Sequence, residues 1–395
     1  MSRAGLEAYV PDATAIAADV AALASQHRDS AWAGERAAAP WVRDRLAAAG
    51  ATDARVEPYR GRGTYGWSFA AHAAAGAVAA LRGGPVARAA ALGALWSLER
   101  DASGLSPWRR RIAGGAPGAN AVARVPAEGE RRLTVVLVAH LDAARTGLVW
   151  HPAVTHAGGR SHLRRQSVDP FLAPVGAALA TAALAPGRRP RAAAAALLGL
   201  AAALNAEVAR GATVPGANDN ATGVAVVLDL VRALAAAPLE HVEVVAVCPG
   251  GEESGMGGFA AWLRGRGREL DRSATLVLGL DTLGSGTPIV AEAEGALRTH
   301  RYRIADLALA DEGAALAGLP APQRWRIGGW TDPLLALHAG VPAISILSMG
   351  PGYFPHYHHP TDVPAHVDWA SVERCARIAA GTLRAAARAR AGGAP

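Results

Sequence analysis

Two adjacent glutamates, Glu252 and Glu253, stand on a glycine-rich turn, Cys248-Pro249-Gly250-Gly251-Glu252-Glu253-Ser254-Gly255. The turn directly follows a largely apolar run, residues 241–247, that reads as a strand. Carboxylates at the mouth of a core element must be paired or metal-bound to offset their desolvation. A helix cap and a solvated side chain would account for them equally well in isolation, since acidic residues favour helix N-termini. The rest of the chain supplies the context. His140, Asp219, Asp281 and His358 also fall in loops, several of them at the end of a predicted strand, where α/β folds collect functional groups. Two imidazoles and three carboxylates can hold a pair of zinc ions, with one carboxylate bridging. Asp142 and Asp362 lie two and four residues from His140 and His358, close enough to orient them. Glu252 is left free to act as a base.

The elements that must position these residues are legible in outline. Helices are predicted over 12–27, with Asp12 as N-cap, and over 37–49, ended by Gly50. A strand at 54–59 follows. Strands at 119–125 and 133–139 come next, the second running into His140-Leu141-Asp142. Further on come a helix over 221–235, the strand before Glu252, a helix to about residue 263 and a strand over 274–280 that ends at Asp281. The chain closes with a helix over 304–317, a strand over 341–347 and a helix over 369–387 capped by Asp368. This alternation predicts an α/β three-layer sandwich with a mostly parallel mixed sheet, as one domain over 1–395. Two alanine-rich helical hairpins interrupt it, in insertions at about 63–117 and 145–212. They turn at Arg82-Gly83-Gly84-Pro85 and at Gly187-Arg188-Arg189-Pro190-Arg191.

The formal charge is +7 and all 40 basic positions are Arg, but these are scattered and not interleaved with aromatics, so no nucleic-acid partner is expected. Two cysteines, Cys248 and Cys375, make no disulfide framework. Residues 1–10 lack the apolar core of a signal peptide, which makes a cytoplasmic location the expectation. The alternative is association with a membrane through the hairpins, which carry Trp67 and Trp96 at one end and arginines at the turns. Most of the apolar runs are shorter than the roughly 20 residues that cross a bilayer, which favours a lid or a bundle joining two copies in a homo-oligomer.

Five stretches resemble, in order, the co-catalytic zinc peptidases of the bacterial leucyl aminopeptidase and glutamate carboxypeptidase type, metallopeptidase clan MH. They are His140-Leu141-Asp142, the segment from Gly216 through Asp219 to Gly223, Gly251-Glu252-Glu253-Ser254-Gly255, Leu280-Asp281, and Tyr357-His358-His359-Pro360-Thr361-Asp362. The resemblance runs from about residue 12 to the C-terminus, outside the hairpins, and makes the domain a zinc-peptidase-like catalytic one. It implies that His140 and Asp281 bind one zinc, Glu253 and His358 the other, that Asp219 bridges them, and that Asp142 and Glu252 are the catalytic carboxylates with Glu252 as general base. His359 stands where the family often has Thr, with His356 also nearby. Pro333 stands where a family segment, here Thr331-Asp332-Pro333, carries a His. His72, His156 and His338 sit in no matching stretch and read as structural or surface residues.

The expected activity is hydrolysis of a peptide or related amide bond in a peptide or acyl-amino-acid substrate, with aminopeptidase as the first reading. A metal-bridging water loses its proton to Glu252, which passes it to the leaving amine. The alternatives are a carboxypeptidase, another amidohydrolase or a glutaminyl-cyclase-like enzyme on the same scaffold, and a receptor-like binding module.

Overall fold

A computed structural model describes residues 6–105, 115–266 and 269–391. Residues 106–114 of the first predicted insertion, and residues 1–5 of the N-terminal stretch, lie outside that description.

The strands are β1 (Thr52–Gly61), β2 (Ala116–Val125), β3 (Glu128–Val138), β4 (Glu240–Cys248), β5 (Thr275–Leu280), β6 (Thr287–Glu294), β7 (His300–Arg301), β8 (Gln323–Ile327) and β9 (Ala343–Met349). They form one sheet in the order β1-β2-β4-β3-β5-β9-β6-β7, with β8 paired to β6. The central four, β4-β3-β5-β9, are parallel. Their sequences are near-continuous apolar runs, such as Val135-Val136-Leu137-Val138, and these side chains are buried on both faces, as a helix-covered parallel strand requires. The flanking pairs β1–β2, β2–β4 and β6–β9 are antiparallel. Because the central strands share a direction, β3, β4, β5 and β9 all end at one edge of the sheet, and four of the five loops that carry chemistry start there.

Helices flank the sheet, as the α/β expectation requires. Helix Thr222–Ala236 is buried along most of its length and packs against Ala13–Ala24, Ala33–Ala48 and Trp369–Ala391. Asp12 caps the first of these through the Ala15 amide at 3.0 Å, and Asp368 accepts from the Ser371 amide at 3.0 Å. Three strands, β6, β7 and β8, and the short helix Pro333–His338 lie where the sequence predicted no element. Strand β8 alternates half-buried Arg324 and exposed Arg326 with buried Trp325 and Ile327, a short period-2 signal, and β6 becomes a strand through its ladders to β9 and β8.

The two hairpins are helical as expected: Gly66–Arg82 with Gly84–Ala102, and Ala173–Leu184 with Arg188–Val208. They pack on each other as a four-helix bundle whose own core includes Phe69, Leu98, Leu179, Leu198 and Val208. Gly76 permits the approach: a Cβ there would lie 2.2 Å from a methyl of Leu179 and 3.1 Å from one of Leu198. At the root of the bundle Tyr65, Phe69 and Phe171 meet Trp330 of the main domain, with ring centroids 5.5–6.2 Å from the indole.

Candidate metal centre

Strand β3 delivers His140, β4 leads into Glu252 and Glu253, β5 into Asp281, and His358 follows β9. Asp219 comes from the loop before helix Thr222–Ala236. All six are buried. The two oxygens of Asp219 face different partners. His140 Nε2 lies 3.2 Å from Oδ1 and 3.8 Å from an oxygen of Asp281, whereas His358 Nε2 lies 3.2 Å from Oδ2 and 3.1 Å from Glu253 Oε2. Thus His140, Asp219 and Asp281 form one potential ligand group and Asp219, Glu253 and His358 another, with Asp219 common to both.

Several buried polar atoms here make no hydrogen bond: Asp219 Oδ2, Glu252 Oε1, Glu253 Oε1 and both ring nitrogens of His358. Stranding that many polar atoms in a folded interior is costly, and imidazole and carboxylate oxygens are the donors zinc accepts. The residues therefore fit a metal centre.

The charges are strongly coupled. Burial and the neighbouring Asp219 push the Glu253 carboxyl up to about 7, against the opposing pull of His358. Burial likewise lifts Asp281 to about 6 and Glu252 well above the usual carboxylate range. Burial disfavours an imidazolium at His358, yet Glu253 and Asp219 outweigh it and raise the ring to about 10. Asp219 is held low because the two histidines outweigh its desolvation. Without metal, protonated imidazoles offset these carboxylates; divalent cations would do the same with better ligand geometry.

The supporting residues are arranged partly as predicted. Asp142 is wholly buried, with Oδ1 accepting from the Glu252 amide at 3.1 Å and Oδ2 from the Glu253 amide at 3.2 Å and from Ser30 Oγ at 2.6 Å. His140 Nδ1 donates to the main-chain carbonyl of Asp142 at 3.2 Å, with the carboxylate 3.6 Å away, so Asp142 orients the histidine through its backbone and pins the glutamate turn through its side chain. Asp362 has a different task from the predicted one. It accepts from the Asn218 and Asp219 amides at 2.8 and 3.1 Å, gripping the loop of the shared carboxylate, while His358 Nδ1 has no hydrogen-bond partner. His358, and neither neighbouring histidine, faces the cluster. His356 and His359 both direct Nδ1 at Thr361 Oγ1, 2.7 and 2.8 Å away. His72 is structural, bonded to the Ser68 carbonyl and Ser97. Pro333 packs on Gly279, away from the cluster's cavity.

Sequence reasoning missed Arg28. Its side chain is buried and donates to the carbonyls of Leu23, Leu141 and Gly216, tying together the loops that carry His140 and Asp219. One arginine among so many carries no local signal. The sequence also gave no sign of Trp150, whose ring meets that of His358 edge-on at 4.4 Å. Asp332 was noticed only as part of a tripeptide; it is buried beside the cluster with neither oxygen hydrogen-bonded.

Glu252, Glu253, Asp281 and His358 open onto a cavity of about 260 Å³. Its walls are mainly apolar and aromatic, from Tyr65, Trp150, Phe171, Ile327, Trp330, Leu347 and Tyr357. No arginine lines it among the described residues.

Residues 201–383 match the sequence profile of peptidase family M28. The matched stretch covers somewhat under half of the chain. Four of the five residues around the cluster, Asp219, Glu253, Asp281 and His358, fall inside the matched stretch, and His140 precedes it. No curated protein matches the chain in sequence. Solved structures share its fold at low identity. The aminopeptidase from Aneurinibacillus sp. strain AM-1 is 14% identical, with a TM-score of 0.55 over 94% of this chain and 93% of that one. A zinc aminopeptidase from Bacillus subtilis is 14% identical, with a TM-score of 0.55 over 98% of both chains. The glutaminyl cyclase of Porphyromonas gingivalis is 14% identical, with a TM-score of 0.52 over 95% and 98%.

Proposed function

We propose that this chain is a zinc-dependent aminopeptidase that holds two zinc ions, one between His140 and Asp281, the other between Glu253 and His358, with Asp219 shared. The observation that carries this reading is the division of the two Asp219 oxygens between the two histidine–carboxylate pairs. Bound there, the ions would supply Lewis acidity toward water and toward the scissile carbonyl. Glu252 takes the proton of the attacking water and delivers it to the leaving amine, while Asp142 fixes the glutamate turn and His140. The absence of arginine from the cavity lining among the described residues, where a carboxypeptidase would need a cation for the substrate's α-carboxylate, supports cleavage from the amino end.

The deciding assay compares an aminoacyl amide with its N-acetyl derivative. The free amine is expected to be required, and faster turnover of N-blocked substrates with a free carboxylate would replace this reading with a carboxypeptidase. Metal content of protein purified without chelator is expected to be two zinc ions per chain; a single ion would point to a mononuclear centre.

Two further outcomes follow. Chelation is expected to lower the melting temperature and zinc to restore it, since a ligand at about 1,000 times its Kd stabilises by about 4 kcal/mol. An unchanged melting curve would show that the buried cluster needs no metal. Phe171→Ala, which opens the aromatic wall, is expected to lower kcat/KM for leucyl and phenylalanyl substrates by about tenfold, since one or two methylenes in an apolar pocket are worth that much. An alanyl substrate should lose far less, and equal losses would show that Phe171 does not read the side chain.

A further inference from the structure

The two hairpin turns lie side by side at the end of the bundle farthest from the cavity. Arg88 donates to the Ala185 carbonyl at 3.0 Å, Arg191 to the Pro186 carbonyl at 3.2 Å, and the Arg191 guanidinium passes over Gly83. These bonds lock the two turns into one surface. That surface combines two features. Leu81, Val86 and Leu184 project into solvent there, 71%, 85% and 68% exposed. Around them stand Arg82, Arg88, Arg188, Arg189 and Arg191, and no acidic residue occurs from residue 70 to 98 or from 173 to 206.

Exposed apolar side chains alone would fit many partners. Joined to an uninterrupted cationic charge, they match one surface well: an anionic bilayer, where arginines meet headgroup phosphates and the leucines and valine enter the acyl boundary. We propose that the bundle tip docks the protein on the face of an anionic phospholipid membrane.

The geometry favours lying on the bilayer over crossing it. Helix Arg188–Val208 is long and apolar enough to span. Its hairpin partner Ala173–Leu184 has only 12 residues, about 18 Å at 1.5 Å per residue, against a hydrocarbon core of about 30 Å. The bundle's inner faces are also occupied by one another. Helix Gly66–Arg82 sets the standoff: its 17 residues separate the tip from the cavity-lining Tyr65 by about 25 Å. Docking therefore leaves the cavity in water near the membrane surface.

The test is co-sedimentation of the full chain with vesicles of phosphatidylcholine alone and of phosphatidylcholine with phosphatidylglycerol. Binding is expected only to the second, and it should weaken as salt is raised. The double variant Arg188→Glu/Arg189→Glu is expected to reduce partitioning by at least about 25-fold, because each basic residue near an anionic surface contributes about fivefold and the new glutamates are repelled. Leu81→Ser/Val86→Ser should reduce it at constant charge. All four positions are exposed, so melting temperatures should match the wild type. Absence of binding to anionic vesicles, equal binding to both compositions, or unchanged binding by the charge-reversed variant would overturn the proposal. A dimer that these variants convert to monomers, without vesicle binding, would assign the surface to a second copy instead.

Discussion

Replacing Glu252 by Gln is expected to lower kcat by about 10³-fold, the usual range for losing a positioned general base, with zinc content and melting temperature unchanged. The expectation comes from how this residue is held. Its backbone does the anchoring: the amide donates to Asp142, and the carbonyl accepts from Gly255 and Met256 at 2.7 and 2.9 Å. The carboxylate is left with Oε1 unbonded, facing the cavity beside Glu253. Gln keeps shape and volume, so the turn and its Asp142 contacts should survive. What it loses is the capacity to accept and return a proton. Burial lifts the Glu252 carboxyl well above its ordinary range, against the pull of His140 and with the charge of Glu253 adding to it. Glu253→Gln should behave differently, losing zinc along with turnover, because Glu253 Oε2 lies 3.1 Å from His358 Nε2 within the candidate ligand group. Turnover by the Glu252 variant within about tenfold of wild type would remove Glu252 from the proton-carrying role.

The second large effect concerns stability. Arg28→Met is expected to destabilise the protein by roughly 4 kcal/mol, read as a lower urea midpoint at constant slope. Burial pulls the Arg28 guanidinium down to about 10, opposed chiefly by Asp362 and also by Asp142, Asp219 and Glu253, so it remains a cation at neutral pH. Methionine fills much of the volume but leaves the carbonyls of Leu23, Leu141 and Gly216 without their donor, and four carboxylates without a nearby fixed positive charge. Arg28→Lys should recover only part of the loss, since an ammonium lacks the planar fork that reaches three separated carbonyls. A cost below about 1 kcal/mol for the methionine variant would mean that water replaces the guanidinium and that the loops do not depend on it.

Much of the catalytic domain was legible because its signals are local. The strands that end at the site are continuous runs of Val, Leu and Ala; the first and last helices carry their aspartate caps; each cluster residue stands in a short stretch whose neighbours are themselves distinctive, such as Gly251-Glu252-Glu253. A strand needed on both faces by the core has little freedom in composition, so it announces itself. The β6–β8 region failed this test. β7 has two residues, β8 interleaves arginines with its apolar positions, and β6, though eight residues long and mostly buried, is fixed as a strand by ladders to residues far along the chain.

The hairpins divide the same way. Alanine-rich helices with glycine and arginine turns could be read from the sequence, because helix propensity and turn chemistry are properties of neighbouring residues. That two insertions far apart in sequence form one bundle, close over an aromatic root and share one cationic, apolar tip could not. The same holds for Arg28 and for the task of Asp362. The sequence alone determined which residue types stand at the ends of which strands. Only the tertiary structure decided which oxygen faces which histidine and which buried side chain holds two loops together, because those relations depend on long-range packing, to which local sequence is blind.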